Sequence, residues 1–259
     1  YVIMSDTNVV VNFDFSAMLQ AHIDSGADMT IAYNEQEIPE ELLNYPTNDR
    51  IFYYTFDVED GRLKKVYINP KTDGVQKLSM NIFVVSRELL IDIVNDAYIQ
   101  GRSFFMRDVI MPQLGKLNVQ AYKYTDYVAR ISGMKSYFEE NMKLLDDYNL
   151  DALFSSAPIY TKIRGDNPTH YKDGAKVQNV MMADGCVIEG EVENSVIFRG
   201  VKVGKGATVK NCILMQDTVV EAGANVEYLI TDKNVTITAG KEMKGTDTYP
   251  VYVAKYQVI

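Results

Sequence analysis

The chain has 259 residues, 47% of them hydrophobic and 24% charged, enough to bury one large core or two ordinary ones, and no apolar run approaches the length that spans a bilayer. A net charge of -9 without any Lys/Arg-rich run argues against nucleic acid as a partner, because a polyanion is held by neutralising its phosphates. The two cysteines, Cys186 and Cys212, and the two histidines, His22 and His170, offer no CxxC or His-cluster spacing, so a reducing, cytoplasmic setting without structural zinc is expected.

Tyr1 to Asp6 has neither a basic n-region nor a cleavage-site pattern and reads as the middle of a strand rather than as a signal peptide. Val2 to Met4 and Val9 to Val11 are strand-like. Phe15 to Ser25, with Met18, Leu19, Ala21 and Ile23 apolar, predicts a helix closed by Gly26. Met29 to Tyr33 is the next strand. Ile51 to Phe56 and Leu63 to Ile68 flank Asp60-Gly61, a hairpin signal. Met80 to Val85 predicts a strand, Arg87 to Ile99 an amphipathic helix, Val119 to Tyr124 a strand and Met134 to Asp146 a helix. Strands alternating with helices make this an α/β domain with a mixed sheet. Ser155 to Tyr171, with Pro158, Gly165 and Pro168, reads as a connector.

From about Cys186 onward the chain repeats every 17 residues. Gly206, Gly223 and Gly240 share that spacing, as do Val192, Val209 and Val226, and Val203, Val220 and Ile237, with Cys186 one step earlier in the last column. Asn194 and Asn211 match too, followed by Ser195-Val196-Ile197 and Cys212-Ile213-Leu214. A fixed period of this size marks a solenoid, in which a unit buries its apolar face only by stacking on its neighbours. Within a coil the period is six, through Val201, Ala207, Ile213 and Val219, or Leu214, Val220 and Val226. The expected form is a left-handed β-helix with Gly and Asn at corners that need positive φ. Tyr249 to Ile259, with alternating Tyr and Val, is the expected closing strand.

Several stretches resemble the sugar-1-phosphate nucleotidyltransferases, specifically the bacterial glucose-1-phosphate adenylyltransferase family. Phe13-Asp14-Phe15-Ser16-Ala17-Met18-Leu19-Gln20-Ala21-His22 is similar to the family's Q-D-Y-x-x-M-L-x-x-H. Ser136-Tyr137-Phe138-Glu139-Glu140-Asn141 resembles its A-Y-W-x-A-N helix, and Pro158-Ile159-Tyr160-Thr161 the P-I-x-T that leads to its solenoid. The implied fold is a partial, Rossmann-like nucleotidyltransferase domain over 1–154, a linker over 155–175 and a left-handed β-helix of hexapeptide repeats over 176–259. Tyr1 aligns inside the family's catalytic domain, and the Gly-rich loop that cradles nucleotide phosphates is not in this chain; the resemblance implies an N-terminal truncation.

Other family motifs are altered. G-D-H becomes Thr7-Asn8-Val9, placing neutral Asn8 where a carboxylate would hold Mg²⁺, with Asp6 as a substitute metal ligand or a simple strand-end cap. F-V-E-K-P becomes Val66-Tyr67-Ile68-Asn69-Pro70, so the resemblance puts Asn69 where a phosphate would meet a lysine. W-R-D-V-G-T becomes Val128-Ala129-Arg130-Ile131-Ser132-Gly133, with Arg130 in place of the second metal-binding Asp. Asn8, Asn69, Asn81 and Arg130 are thus degenerate substrate positions, and no residue is assigned a catalytic role. Arg130 reads as a solvated or ion-paired side chain more readily than as an anion site; His22 and the cysteines read as packing residues.

By this resemblance Mg²⁺ and ATP are the family's cofactor and substrate, and the pattern is similar to GlgD-type companion subunits. These imply a weakly active or regulatory role in ADP-glucose formation for glycogen biosynthesis, in a hetero- or homo-oligomer with a catalytic adenylyltransferase subunit. An active nucleotidyltransferase, a pure scaffold and a hexapeptide acyltransferase are the alternatives, the last needing a coil-borne His that the repeat lacks.

Overall fold

A computed structural model describes residues 1–44, 52–155, 157–161 and 163–259, and the chain divides into two units, Tyr1–Ser132 and Gly133–Ile259. Ile51, the first residue of one expected strand, lies outside the described residues. The first unit runs β1 (Val2–Ser5), β2 (Val9–Val10), α1 (Phe15–Ser25), β3 (Met29–Glu37), α2 (Glu40–Leu43), β4 (Tyr54–Glu59), β5 (Arg62–Ile68), β6 (Val75–Val85), α3 (Arg87–Ile99), β7 (Val119–Lys123) and β8 (Ala129–Arg130). Six strands form a mixed sheet in the order β1-β6-β3-β7-β5-β4, and β2 pairs with β8 in a separate ribbon.

Local chemistry places these elements. The Asp14 carboxylate accepts from the Ser16 and Ala17 amides at the start of α1, and Gly26 ends the helix at φ 57, a conformation without penalty only for glycine. Ser86 caps α3 by accepting from the Leu89 amide. Asp60 and Gly61 both take positive φ in a two-residue turn whose twist matches that of β4 and β5. The sheet is covered on both faces, so its central strands are buried rather than alternating. Met18 of α1 packs with Ala32, Met80, Ile82 and Val84 on one side, while Ile93 and Ala97 of α3 pack with Ile31, Phe83 and Val85 on the other.

In the second unit, the helix expected to reach Asp146 stops earlier, as α4 (Met134–Lys143). The reason is Asp146 itself, whose carboxylate accepts from the Tyr148 and Asn149 amides and so caps a further helix, α5 (Asp147–Phe154). Both helices belong with the coils, so the break between units falls at 132/133, earlier than the boundary read at 154.

The coils are stacked parallel strands. One face pairs His170–Tyr171, Val187–Ile188, Lys202–Val203, Val219–Val220 and Thr236–Ile237 in succession. The repeat therefore begins before Cys186: the Gly185 amide already donates to the Asn167 carbonyl and the His170 amide to that of Cys186. His170 consequently stands exposed on the first coil, which corrects its placement ahead of the repeat.

One coil is also shorter than the rest. Val187 pairs with Lys202 and Val177 with Val192, a step of 15, whereas Glu191 pairs with Thr208 and Val196 with Ile213, a step of 17. The missing pair belongs to a corner: Gly190 alone spans the place that Lys205-Gly206 and its equivalents occupy above. Cys186 thus sits in line with Val201, and it is Ile188 that shares the column of Val203, Val220 and Ile237. Of the two six-residue series, Leu214, Val220 and Val226 line the interior, but Ile213 faces outward beneath α4, packed with Phe138, Val196 and Ile230. Val251–Val253 pairs with the strand Leu229–Thr231 at a step of 22, with an extra loop at 246–250, and Val258 bridges to Thr236, so the closing strand lies on the last full coil as expected.

A Cβ on Gly190 would stand 2.3 Å from the Ala207 carbonyl oxygen and 2.8 Å from that of Gly204, both backbone atoms. Gly190→Ala is expected to lower stability by about 1–3 kcal/mol in denaturant melts, the usual cost of overpacking, while Gly115→Ala, with open space around it, serves as the neutral control. A second expectation concerns His22, 2% exposed with its Nδ1 2.8 Å from the Thr30 hydroxyl. Burial lowers its pKa, so the fold favours the neutral ring and the unfolded chain binds the proton more readily. Its contribution is full above the unfolded value near 6.5 and is lost as pH falls below it. Thermal melts between pH 7 and pH 5 should accordingly fall less steeply for His22→Gln than for the parent.

Candidate functional site

Within the first unit, the residues beside Asp6 are brought together by a defect in the sheet. The register of β3 on β6 shifts between Ile31↔Phe83 and Tyr33↔Ser79, leaving more residues on β6 than on β3, and Asn81 takes up the excess at φ 52. That bulge is recessed against the end of β1, where the Asp6 amide donates to the Asn81 carbonyl. The side chains follow. Ser79 donates its hydroxyl to Asn81 Oδ1 at 2.9 Å, which fixes the carboxamide so that Nδ2 donates to Asp6 Oδ2 at 2.6 Å.

A cavity of about 260 Å³ opens there, lined by Asp6, Asn81 and Ser103 on its polar side and by Phe52, Tyr54 and Phe104 among its aromatic walls. Part of the wall comes from a π-helical turn, Phe105–Ile110, an irregularity that frequently accompanies sites. It is held by Asp108, which accepts from the Ser103 and Phe104 amides and from Arg107 at 2.6 Å. Arg107 in turn lies over the Phe104 and Phe52 rings, 4.2 and 4.9 Å from their centroids. The Arg107 guanidinium and the two amides hold the Asp108 carboxyl down at about 2. Burial pushes the Tyr54 hydroxyl up to about 12, so it remains a neutral donor and acceptor.

Arg130 is only 5% exposed. Its β8 pairs with β2 through Val9, and its Nη2 donates to Asn34 Oδ1 at 3.3 Å while Nε meets no acceptor among the described residues. Burial lowers the guanidinium to about 10, and the charge of Asp6 acts in the opposite direction. Asn8, read as a degenerate substrate position, is exposed and is tied to the ribbon by its carbonyl, which accepts from the Ile131 amide. Asn69 serves the backbone: at φ 48, its Oδ1 accepts from the Tyr53 amide at 2.9 Å, next to the wall residue Tyr54.

The structure thus joins Asp6 to Asn81 directly and to Arg130 through its field. Ser79, Asn34, Tyr54 and the Phe52–Phe104–Arg107 stack were missed from sequence; the only available signal was an Asn inside a strand pattern, a marker for a bulge. No group of three His, Cys, Asp or Glu that could hold a metal occurs among the described residues. The donor set at Asp6 also fits Mg²⁺ poorly, since one carboxylate oxygen is taken by Asn81 and the neighbouring charge is a buried cation. The site instead offers a carboxylate, a carboxamide, hydroxyls and ring faces, a set suited to hydroxyl-bearing rings. No helix among the described residues is long and apolar enough to cross a membrane.

A family model described as the GlmU-like C-terminal hexapeptide matches residues 167–249, the coils identified above. Along its length the chain is similar to the glycogen biosynthesis protein GlgD of Bacillus subtilis, 29% identical over 98% of this chain and 62% of the relative. GlgD of Geobacillus stearothermophilus is 34% identical over 81% of this chain and 49% of its own length. The glucose-1-phosphate adenylyltransferase of the same organism is 32% identical over 81% and 53% respectively. The chain therefore spans about half to three-fifths of these relatives.

Asn69→Ala should lose both the bond to the Tyr53 amide and the side chain that tolerates positive φ, and we expect about 1–2 kcal/mol less stability in chemical melts. Asn69→Gly keeps the backbone conformation and should lose less.

Proposed function

Since the chain is a GlgD-type relative of the glucose-1-phosphate adenylyltransferases, we propose that the full-length protein is a regulatory or weakly active subunit. In this reading it assembles with a catalytic adenylyltransferase subunit and modulates formation of ADP-glucose from ATP and glucose 1-phosphate in glycogen biosynthesis. One observation carries the reading: Asp6, the one carboxylate among the described residues lining the cavity, is held by Asn81 and lies in the field of the buried Arg130. Nucleotidyl transfer leans on a cation that bridges phosphates and offsets developing charge, and hard divalent cations take oxygen ligands, carboxylates above all. Here the positions that the family resemblance gives to metal carboxylates carry Asn8 and Arg130, and the lysine expected to meet the sugar phosphate is Asn69.

What remains suits recognition without transfer. Asp6, Asn81 and the neutral Tyr54 hydroxyl can accept from and donate to sugar hydroxyls, and the aromatic walls can cover a ring face. A subunit that retains such a pocket but handles no metal would influence its partner by binding and by contact. The stacked coils supply a rigid element on which that contact can be built.

The test is an ADP-glucose synthesis assay on the full-length protein, alone and mixed with a catalytic adenylyltransferase subunit of the same cell. Little turnover alone, together with a changed kcat or substrate affinity in the mixture, is expected. Vigorous turnover by the protein alone, or a mixture no different from the catalytic subunit by itself, refutes the reading.

A further inference from the structure

The second unit holds a groove of about 550 Å³, in the size range of small-molecule sites. One coil corner lines it: Asn179, Asn194, Asn211 and Tyr228, all at positive φ and stacked at consecutive levels of the solenoid. The end of α4 faces them with Phe138 and Met142. Neighbouring strands lie about 4.8 Å apart, so the three carboxamides form a row at that interval. The first two are already aligned, with Asn179 Nδ2 donating to Asn194 Oδ1 at 2.9 Å.

The chemistry of the lining selects its ligand. A carboxamide presents donors and an acceptor side by side, which matches a pair of adjacent hydroxyls, each able to donate and accept. Tyr228 offers an apolar ring face, its centroid 6.1 Å from that of Phe138, which is itself buried beneath it. No cation lines the groove among the described residues, so a phosphate or carboxylate would find no charged partner there. Among the described residues that line it, Asp146 is the one that carries a charge, and its Oδ1 accepts from the Tyr148 and Asn149 amides at the first turn of α5. We propose that this groove binds a short neutral oligosaccharide, whose hydroxyl pairs recur along the chain as the carboxamides do along the coils.

Calorimetric titration of the full-length protein with maltotriose tests this, with adenosine as the comparison ligand. Saturable binding of maltotriose is expected, about tenfold weaker in Asn194→Gly and in Asn211→Gly, the effect of one or two lost hydrogen bonds. Glycine keeps the positive φ of both corners, so these variants should melt near the parent. If either fails to fold, Met142→Glu on α4 carries the same test by placing a charge in the groove. An absence of saturable maltotriose binding, affinity unchanged in the folded variants, or a preference for adenosine would each overturn the proposal.

Discussion

The requirement for left-handed backbone at the corners of the coil governs the second unit. Each turn of the solenoid bends where a residue takes positive φ, and the same residue types recur in columns: Gly206, Gly223 and Gly240 at one corner; Asn179, Asn194, Asn211 and Tyr228 at another; Gly185, Gly200, Asp217 and Asn234 at the third. Because the corners stack, the strands between them stay in register, and interior columns such as Val192, Val209 and Val226 fall on apolar residues. A slip of one residue would turn those side chains outward. The shortened coil at Gly190 tests the same constraint from the other side. Two residues are lost, yet register resumes, because a glycine lets the backbone pass against the carbonyls of Gly204 and Ala207.

The polar residues buried among the coils are consistent with this. Ser195 sits in the column of Cys212, and its hydroxyl donates to the Glu193 carbonyl while accepting from the Cys212 amide. Thr218 and Thr231 meet at 2.9 Å, and Thr231 also accepts from the Met215 amide. Each hydroxyl satisfies a backbone group near a bend, so its burial does not leave a donor or acceptor stranded. The cysteine thiols are matched as well: Cys212 Sγ donates to the Lys210 carbonyl at 3.0 Å, and burial pushes the thiol up to about 12, where it stays a small neutral side chain.

Periodicity made most of the fold legible. The bounds of α1 and α3 and the Asp60-Gly61 turn follow from caps and turn chemistry that act over a few residues, and the structure agrees with them. The 17-residue period located the coils but hid the 15-residue one, because a deletion inside a corner shifts the phase without changing which residues are apolar. That shift is also why His170 and the first coil look like connector in the sequence. In the cavity, legibility ended sooner. Asn69 and Asn81 could be named from sequence, but their tasks depend on long-range pairings, Asn69 with Tyr53 and Asn81 with Asp6, that local pattern does not encode. The aromatic wall was invisible for the same reason, since Phe52 and Phe104 lie 52 positions apart and meet only when the sheet has formed.

Positions that need positive φ can be taken by Asn as well as by Gly, so the backbone of a site can persist while its side chains change function. Asn81 is such a case: it forms the bulge and then uses its carboxamide to hold Asp6. Arg130 shows the energetic side. A buried guanidinium with Nε unmatched among the described residues is costly, and Asp6 supplies the opposing charge that lowers this cost. A divalent cation arriving at Asp6 would compete with Arg130 for the same negative charge. The charge balance that stabilises this end of the sheet therefore works against metal binding.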